Sequence, residues 1–93
     1  MPEQKRNIDM HFLQLVASLH MASLQNLGRL ASPVTNESKI DMAQARISID
    51  MLAMMAEKTE GNLTDDEKEL IDKTLFELRT AFAEVAKEQN YNE

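Results

Sequence analysis

Apolar residues recur every three or four positions in three segments of the chain, which is the spacing that places side chains on one face of an α-helix. The first segment begins after Asn7 or Asp9, either of which can act as an N-cap, and Gly28 suits its left-handed end. A polar loop follows, in which Pro33 stops any continuing helix. The pattern therefore predicts a first helix that ends at about residue 28.

Two further helices are predicted from their start and stop signals. Ser38 is placed to cap a second helix over residues 39–59, and Gly61 marks its end. Thr64 is followed three positions later by Glu67, which is the spacing of a capping box, so a third helix begins there. The sequence thus predicts an all-α, three-helix domain consisting of a helical hairpin and a third helix.

The apolar faces of these helices differ in width. On the third helix the apolar positions fill an arc of about 140°, as expected for a half-buried helix. On the second helix Arg46, Asp50 and Glu57 share one narrow strip, and apolar residues cover most of the remainder. The first helix has an apolar arc of about 200°, and residues 10–28 include no Asp, Glu, Lys or Arg. The first two helices therefore carry more apolar surface than a three-helix monomer can cover.

Excess apolar surface of this kind is usually covered by protein, because monomers seldom expose contiguous apolar patches beyond a few hundred Å². The simplest cover is a second copy, so we expect a homo-oligomer, most simply an intertwined or bundle-like two-fold dimer. The residues expected at its interface lie on the first two helices: Phe12, Leu13, Leu15, Val16, Leu19, His20, Leu24, Ile47, Met51, Met54 and Met55.

Two polar residues in these faces have both structural and functional interpretations. His20 lies inside the apolar arc and needs hydrogen-bond partners if buried, as a core histidine, a pH-sensitive interface histidine or a catalytic base. Asp50 is four residues from Arg46 and can form a surface pair with it or, with Arg79, a buried ion pair that sets the register of two subunits. His11 and His20 are nine residues apart, which does not suit one metal ion.

Composition and charge narrow the functional classes. The 93 residues are 43% apolar and 28% charged, with two Gly, as suits one small helical domain. The net charge is −6, without a basic stripe, so neither nucleic acid nor an anionic membrane is expected as a partner. The lack of Cys excludes thiol chemistry and is compatible with the cytoplasm. Because no nucleophile motif, metal cluster or phosphate loop is recognisable, we predict neither an enzyme nor a bound cofactor.

The uncharged stretch at residues 10–28 raises the question of a membrane segment. It is almost long enough to span a bilayer, but it contains several polar side chains that would be costly in hydrocarbon, so no membrane span is expected. Polar residues at its start also disfavour a signal peptide. Residues 1–8 and 90–93 are polar and expected to be flexible, which leaves residues 9–89 as a single domain.

Several non-adjacent elements of residues 46–87 occur in a recognisable order, namely IDML, KTEGNL, Glu67 and LFELR. In this order and spacing the chain resembles the uncharacterised bacterial family known as domain of unknown function 1844, and FLQLVASLHMASLQNLG upstream is similar to that family's first helix. The resemblance covers about residues 10–87, apart from the loop ASPVTNESKI. It implies a short helical protein and supplies no activity.

The segment KTEGNLT has a structural interpretation at nearly every position. Lys58 would lie at a helix C-terminus, Gly61 at the left-handed stop and Asn62 in the turn. Thr64 and Glu67 would cap the next helix. The alternative is a ligand or partner loop in which Lys58 contacts an anion.

Two further apolar features bear on partners. Phe76 projects from the charged side of the third helix and, with Arg79, is the best candidate for contact with another protein. The methionines of the second helix can either fill an irregular core or line an adaptable groove for an apolar or amphipathic ligand: Met42, Met51, Met54 and Met55. We therefore expect a small cytoplasmic adaptor or regulatory interaction module, with a ligand-binding helical bundle as the alternative.

Overall fold

The fold consists of three α-helices connected by two loops. The computed structural model describes residues 7–91, and most of the predicted flexible ends, residues 1–6 and 92–93, lie outside this range. The helices are α1 (Met10–Asn26), α2 (Met42–Lys58) and α3 (Asp65–Glu88). Within residues 7–91 β-pairing is limited to one isolated antiparallel bridge, between Leu27 and Ile40. The predicted all-α, three-helix fold is confirmed.

Two of the three predicted helix starts are confirmed. The Asp9 carboxylate accepts the backbone N–H groups of His11 and Phe12 at 2.7 and 3.3 Å, so Asp9 is the N-cap of α1. At the start of α3 the Glu67 N–H donates to Thr64 Oγ1 at 3.1 Å, and the Thr64 N–H donates to Glu67 Oε1 at 2.9 Å. This reciprocal pair is the capping box that the sequence indicates.

The predicted start of α2 is wrong. Its N-cap is Asp41, whose carboxylate accepts the Gln44 N–H at 3.0 Å, and not Ser38. The reason is a long-range constraint: Ile40 pairs with Leu27, and the Asp41 N–H donates to the Asn26 carbonyl at 2.7 Å. The chain is therefore held extended as far as residue 40 and becomes helical only afterwards.

Both glycines lie in left-handed turns after a helix, as predicted. Gly28 has a φ of 76° and follows α1, where the Arg29 N–H donates to the Leu24 carbonyl at 2.8 Å. Gly61 has a φ of 85° and follows the end of α2. Positive φ is unfavourable for residues that carry a Cβ atom, so glycine allows both helices to stop where they do.

The core runs between the helices in two clusters. One cluster joins all three helices and contains Val16, Ile49, Leu52, Ile71, Leu75 and Leu78. The other lies where α1 ends and α2 begins, and contains Leu27, Met42, Ala45 and Val85. None of the helices in residues 7–91 is both long and apolar enough to cross a membrane.

Gly28→Ala is expected to reduce the free energy of unfolding more than Gly61→Ala does. Both variants place a Cβ atom at positive φ, at a cost of about 1 to 2 kcal/mol. Only at position 28 does the added Cβ also fall 2.8 Å from Ile40 Cγ1, whereas it meets nothing within 4 Å at position 61. Urea denaturation of the two variants measures the difference. Equal losses would mean that Ile40 moves aside at no cost.

Candidate interaction surfaces

The side of α1 that faces away from the core carries no charged residue. Met10, Leu15 and Met21 are at least half exposed there, and Ser18 is also exposed. Only Val16 and Ser23 of α1 are fully buried. An exposed helix face without charge is unusual on a chain that is 28% charged, so this face is a candidate contact surface.

The exposed side of α2 carries an apolar stripe. Ile47, Met51 and Met54 are spaced four and three residues apart and therefore share one side of the helix. Each is nearly half exposed, with relative exposures of 47, 47 and 46%. We call these three residues the α2 stripe. They are a second candidate contact surface.

The residues predicted at an oligomer interface divide into three groups. Leu15 and the α2 stripe are exposed. Val16 is 1% exposed and lies in the core, where it has no surface left for a partner. The remaining predicted residues are partly buried, and several of them pack against the core: Phe12, Leu13, Leu19, His20, Leu24 and Met55. The apolar arc of α1 is therefore largely covered within one chain.

The buried Ser23 is satisfied within its own helix, and His20 is not buried deeply enough to require a partner. The Ser23 hydroxyl donates to the Leu19 carbonyl of its own helix at 2.8 Å, and His20 is only partly buried. Across residues 7–91 every buried polar side-chain atom has a hydrogen-bond partner. His11 is almost fully exposed, 3.7 Å from the Asp9 carboxylate.

Asp50 and Arg46 form the predicted surface pair along α2. Arg46 Nε lies 3.3 and 3.2 Å from the two carboxylate oxygens of Asp50, and both side chains are about half exposed. Arg79 lines the same groove as this pair, together with Phe82. Asp50 and Arg79, which were predicted to pair between two subunits, thus line the same groove within a single chain. An exposed pair of this kind contributes about 0.3 to 0.5 kcal/mol.

Phe76 and Arg79 lie beside a shallow groove on α3. Phe76 is 73% exposed, as its position on the charged side of the helix predicts. The groove measures about 680 Å³ and is lined by Asp72, Leu75, Phe76, Arg79, Thr80, Ala83 and Glu84. Arg79 also lines a groove of about 660 Å³ between α2 and α3. We call the first of these the α3 groove.

The KTEGNLT segment connects helix ends. Lys58 is the last residue of α2, and the Asn62 N–H donates to the Thr59 carbonyl at 2.8 Å within the turn. The sequence did not reveal a further contact: the second carboxylate oxygen of Glu67 accepts the Asp9 N–H at 2.8 Å. Glu67 therefore joins the start of α3 to the start of α1. These contacts favour the structural interpretation of the segment.

Hydrogen bonding also explains the acidity of Glu67. Its carboxylate accepts the backbone N–H groups of Asp9 and Thr64, and these bonds hold the pKa of Glu67 below its usual value. The neighbouring acidic residues lie in the first turn of α3, where the helix dipole favours negative charge. Within residues 7–91 no group of three or more acidic or histidine side chains is arranged to hold a metal ion.

The structure thus belongs to the class of small all-α domains, with a helical hairpin packed on a third helix and exposed apolar positions on all three. The chain belongs to the family described as Domain of unknown function (DUF1844), whose model matches residues 9–84. The match covers α1, α2 and most of α3, and it confirms the family inferred from the sequence resemblance. Neither a curated protein nor a solved structure matches the chain.

Glu67→Gln is expected to destabilise the protein at neutral pH and to have less effect as the pH falls. Because the pKa of Glu67 is lowered by folding, its ionised form contributes stability above its ordinary value of 4.5, and that contribution is lost as the pH falls through the folded pKa. Urea denaturation between about pH 7 and pH 3 measures this convergence. Glu77→Gln, at an exposed position of α3, is the matched control and should change the stability little at either pH. A loss of unfolding free energy in Glu67→Gln that is the same at every pH would contradict a lowered pKa for Glu67.

Proposed function

We propose that this protein is a non-enzymatic, cytoplasmic adaptor or regulatory module that forms a homodimer through α1 and α2 and offers α3 to a second protein. The observation that carries the proposal is the pair of exposed, mainly uncharged faces on the hairpin, the α1 face around Ser18 and the α2 stripe. Burial of apolar surface stabilises an interface by roughly 25 cal/mol per Å². In a two-fold dimer the same face of a second copy supplies the complementary surface.

The α3 groove supports the adaptor part of the proposal. An adaptor needs a contact surface that remains accessible after it has dimerised, and Phe76 lies on a different helix from the hairpin faces. An exposed aromatic residue beside an arginine is a combination enriched among the residues that dominate protein interfaces. Phe76 and Arg79 line this groove together.

The non-enzymatic part of the proposal rests on how the polar groups are used. Asp9, Thr64 and Glu67 bind backbone groups at helix starts. The alternative of a ligand-binding bundle has less support, because Met42 is buried in the core whereas Met51 and Met54 lie on the outer side of α2. The α3 groove is lined without methionine.

The purified protein is expected to have about twice the 10.6 kDa mass of one chain in light scattering coupled to size exclusion. The double variant Ile47→Glu, Met51→Glu should shift it to the monomer, because dimerisation would bury two carboxylates against apolar groups. Phe76→Glu is the control and should leave the mass unchanged. A wild-type protein that is monomeric at micromolar concentration would refute the homodimer.

Phe76→Ala is expected to reduce capture of a protein partner from a lysate at least tenfold relative to wild type, which corresponds to about 1.4 kcal/mol. Val34→Ala is the matched control, since Val34 is 90% exposed in the α1–α2 loop and does not line the α3 groove. Quantitative mass spectrometry of the captured proteins measures the effect. Equal capture by all three proteins would remove the α3 groove from the proposal.

A further inference from the structure

We infer that the homodimer proposed above, on which this arrangement depends, is a face-to-face packing of two α1–α2 hairpins in which α1 lies antiparallel to α1 of the partner. The two-fold axis passes beside Ser18 on α1 and between Asp50 and Met51 on α2. The exposed hairpin face therefore binds the same face of a second copy of this chain, and the two copies are aligned in one way only.

The two half-exposed apolar residues of α1, Leu15 and Met21, lie equally far from Ser18 on either side. In an antiparallel pair centred there, each residue meets the one equally far on the other side of Ser18 in the partner. Leu15 then meets the partner's Met21, and His11 meets the partner's Gln25. These two pairs are chemically matched, as a two-fold interface requires. Met10 and Gln14 meet the partner's Asn26 and Ala22, so the match is confined to the Leu15–Met21 and His11–Gln25 pairs.

The α2 stripe has a symmetry centre of its own. Ile47 and Met54 lie equally far from the midpoint between Asp50 and Met51. An antiparallel α2 pair centred at that point places Ile47 against the partner's Met54. Asp50 lies at the height of the axis, but its side chain pairs with Arg46 at 3.2 Å in the groove that both share with Phe82 of α3.

The two symmetry centres lie at nearly the same height in the hairpin. The Asp41 N–H donates to the Asn26 carbonyl, which fixes α1 and α2 side by side at that level. At the same rise per residue along both helices, Ser18 lies level with residue 49, about 2 Å from the symmetry centre of α2. A single two-fold axis perpendicular to the helices can therefore relate α1 to the partner's α1 and α2 to the partner's α2. A register chosen for α1 alone predicts the pairing of α2.

Charge also favours a second copy on this face. The chain has a net charge of −6, and α3 contains eight acidic and four basic residues, so two copies repel one another when their α3 helices approach. Helix α1 contains no Asp, Glu, Lys or Arg. Two acidic chains can therefore approach closely through α1 without opposing like charges.

The area of the face is that of a small dimer interface. Each helix has 17 residues and is about 25 Å long, and two adjacent helices are about 20 Å wide. The flat footprint is thus about 500 Å² before the relief of the side chains is counted, which approaches the lower end, roughly 600 Å² per partner, of standard interfaces.

Disulfide trapping tests the register directly, because the chain has no Cys and each introduced thiol can react only with its copy. Under mild oxidation Ser18→Cys should convert most of the protein to a covalent dimer, since a disulfide needs Cα atoms within about 7 Å. Thr80→Cys, at an exposed position of α3, is the matched control and should remain unlinked.

A mixture of His11→Cys and Gln25→Cys tests the direction of the helices. In the antiparallel arrangement the two variants should link only to each other. Two copies of the same introduced cysteine, one in each subunit, would be about 21 Å apart along the helix direction. Linkage of His11→Cys to itself would indicate a parallel pair and overturn the inference. If either variant fails to fold by circular dichroism, Gln14→Cys mixed with Ala22→Cys tests the same register.

The mass of the untreated protein separates the two proposals. A dimeric wild type whose Ser18→Cys variant does not link overturns the register and leaves the homodimer intact. A monomeric wild type overturns both.

Discussion

The arrangement of the hairpin depends on one backbone hydrogen bond, from the Asp41 N–H to the Asn26 carbonyl. Together with the bridge between Leu27 and Ile40 it holds the end of the connecting chain against α1 until residue 41, where α2 can begin. At this level Met42 and Ala45, in the first turn of α2, pack with Leu27 and Val85 in the core. A start three residues earlier, as the sequence suggested, would not by itself have fixed α2 at a level beside α1.

At the opposite end of the molecule one carboxylate performs a comparable function. Glu67 accepts N–H groups from Thr64 and from Asp9, so it completes the cap of α3 and secures the start of α1 with the same side chain. These N–H groups belong to helix starts, which lack partners within their own helices. The three-helix unit is therefore fixed at both ends by backbone groups and packed between them by apolar side chains.

Local sequence signals predicted the features that depend on neighbouring residues. The Thr64 capping box, the Asp9 cap and the exposure of Phe76 all follow from the spacing of side chains within one helix. The Asp41 cap depends on a contact with another helix, which local spacing does not reveal, so the sequence predicted Ser38 instead. Helical periodicity similarly could not separate Val16, which is buried, from Leu15, which is half exposed, because both belong to the same wide apolar arc.

The contact between Gly28 and Ile40 has a consequence for how the sequence can diverge. The chain uses asparagine at two other left-handed positions, Asn36 with a φ of 60° and Asn90 with a φ of 53°, so asparagine is an accessible substitute where only the backbone conformation matters. Position 61, which is open, admits that substitution. Position 28 does not, because any Cβ atom there would fall against Ile40. In this chain a change at position 61 is therefore limited only by the backbone conformation, whereas glycine at position 28 should change only together with a smaller residue at position 40.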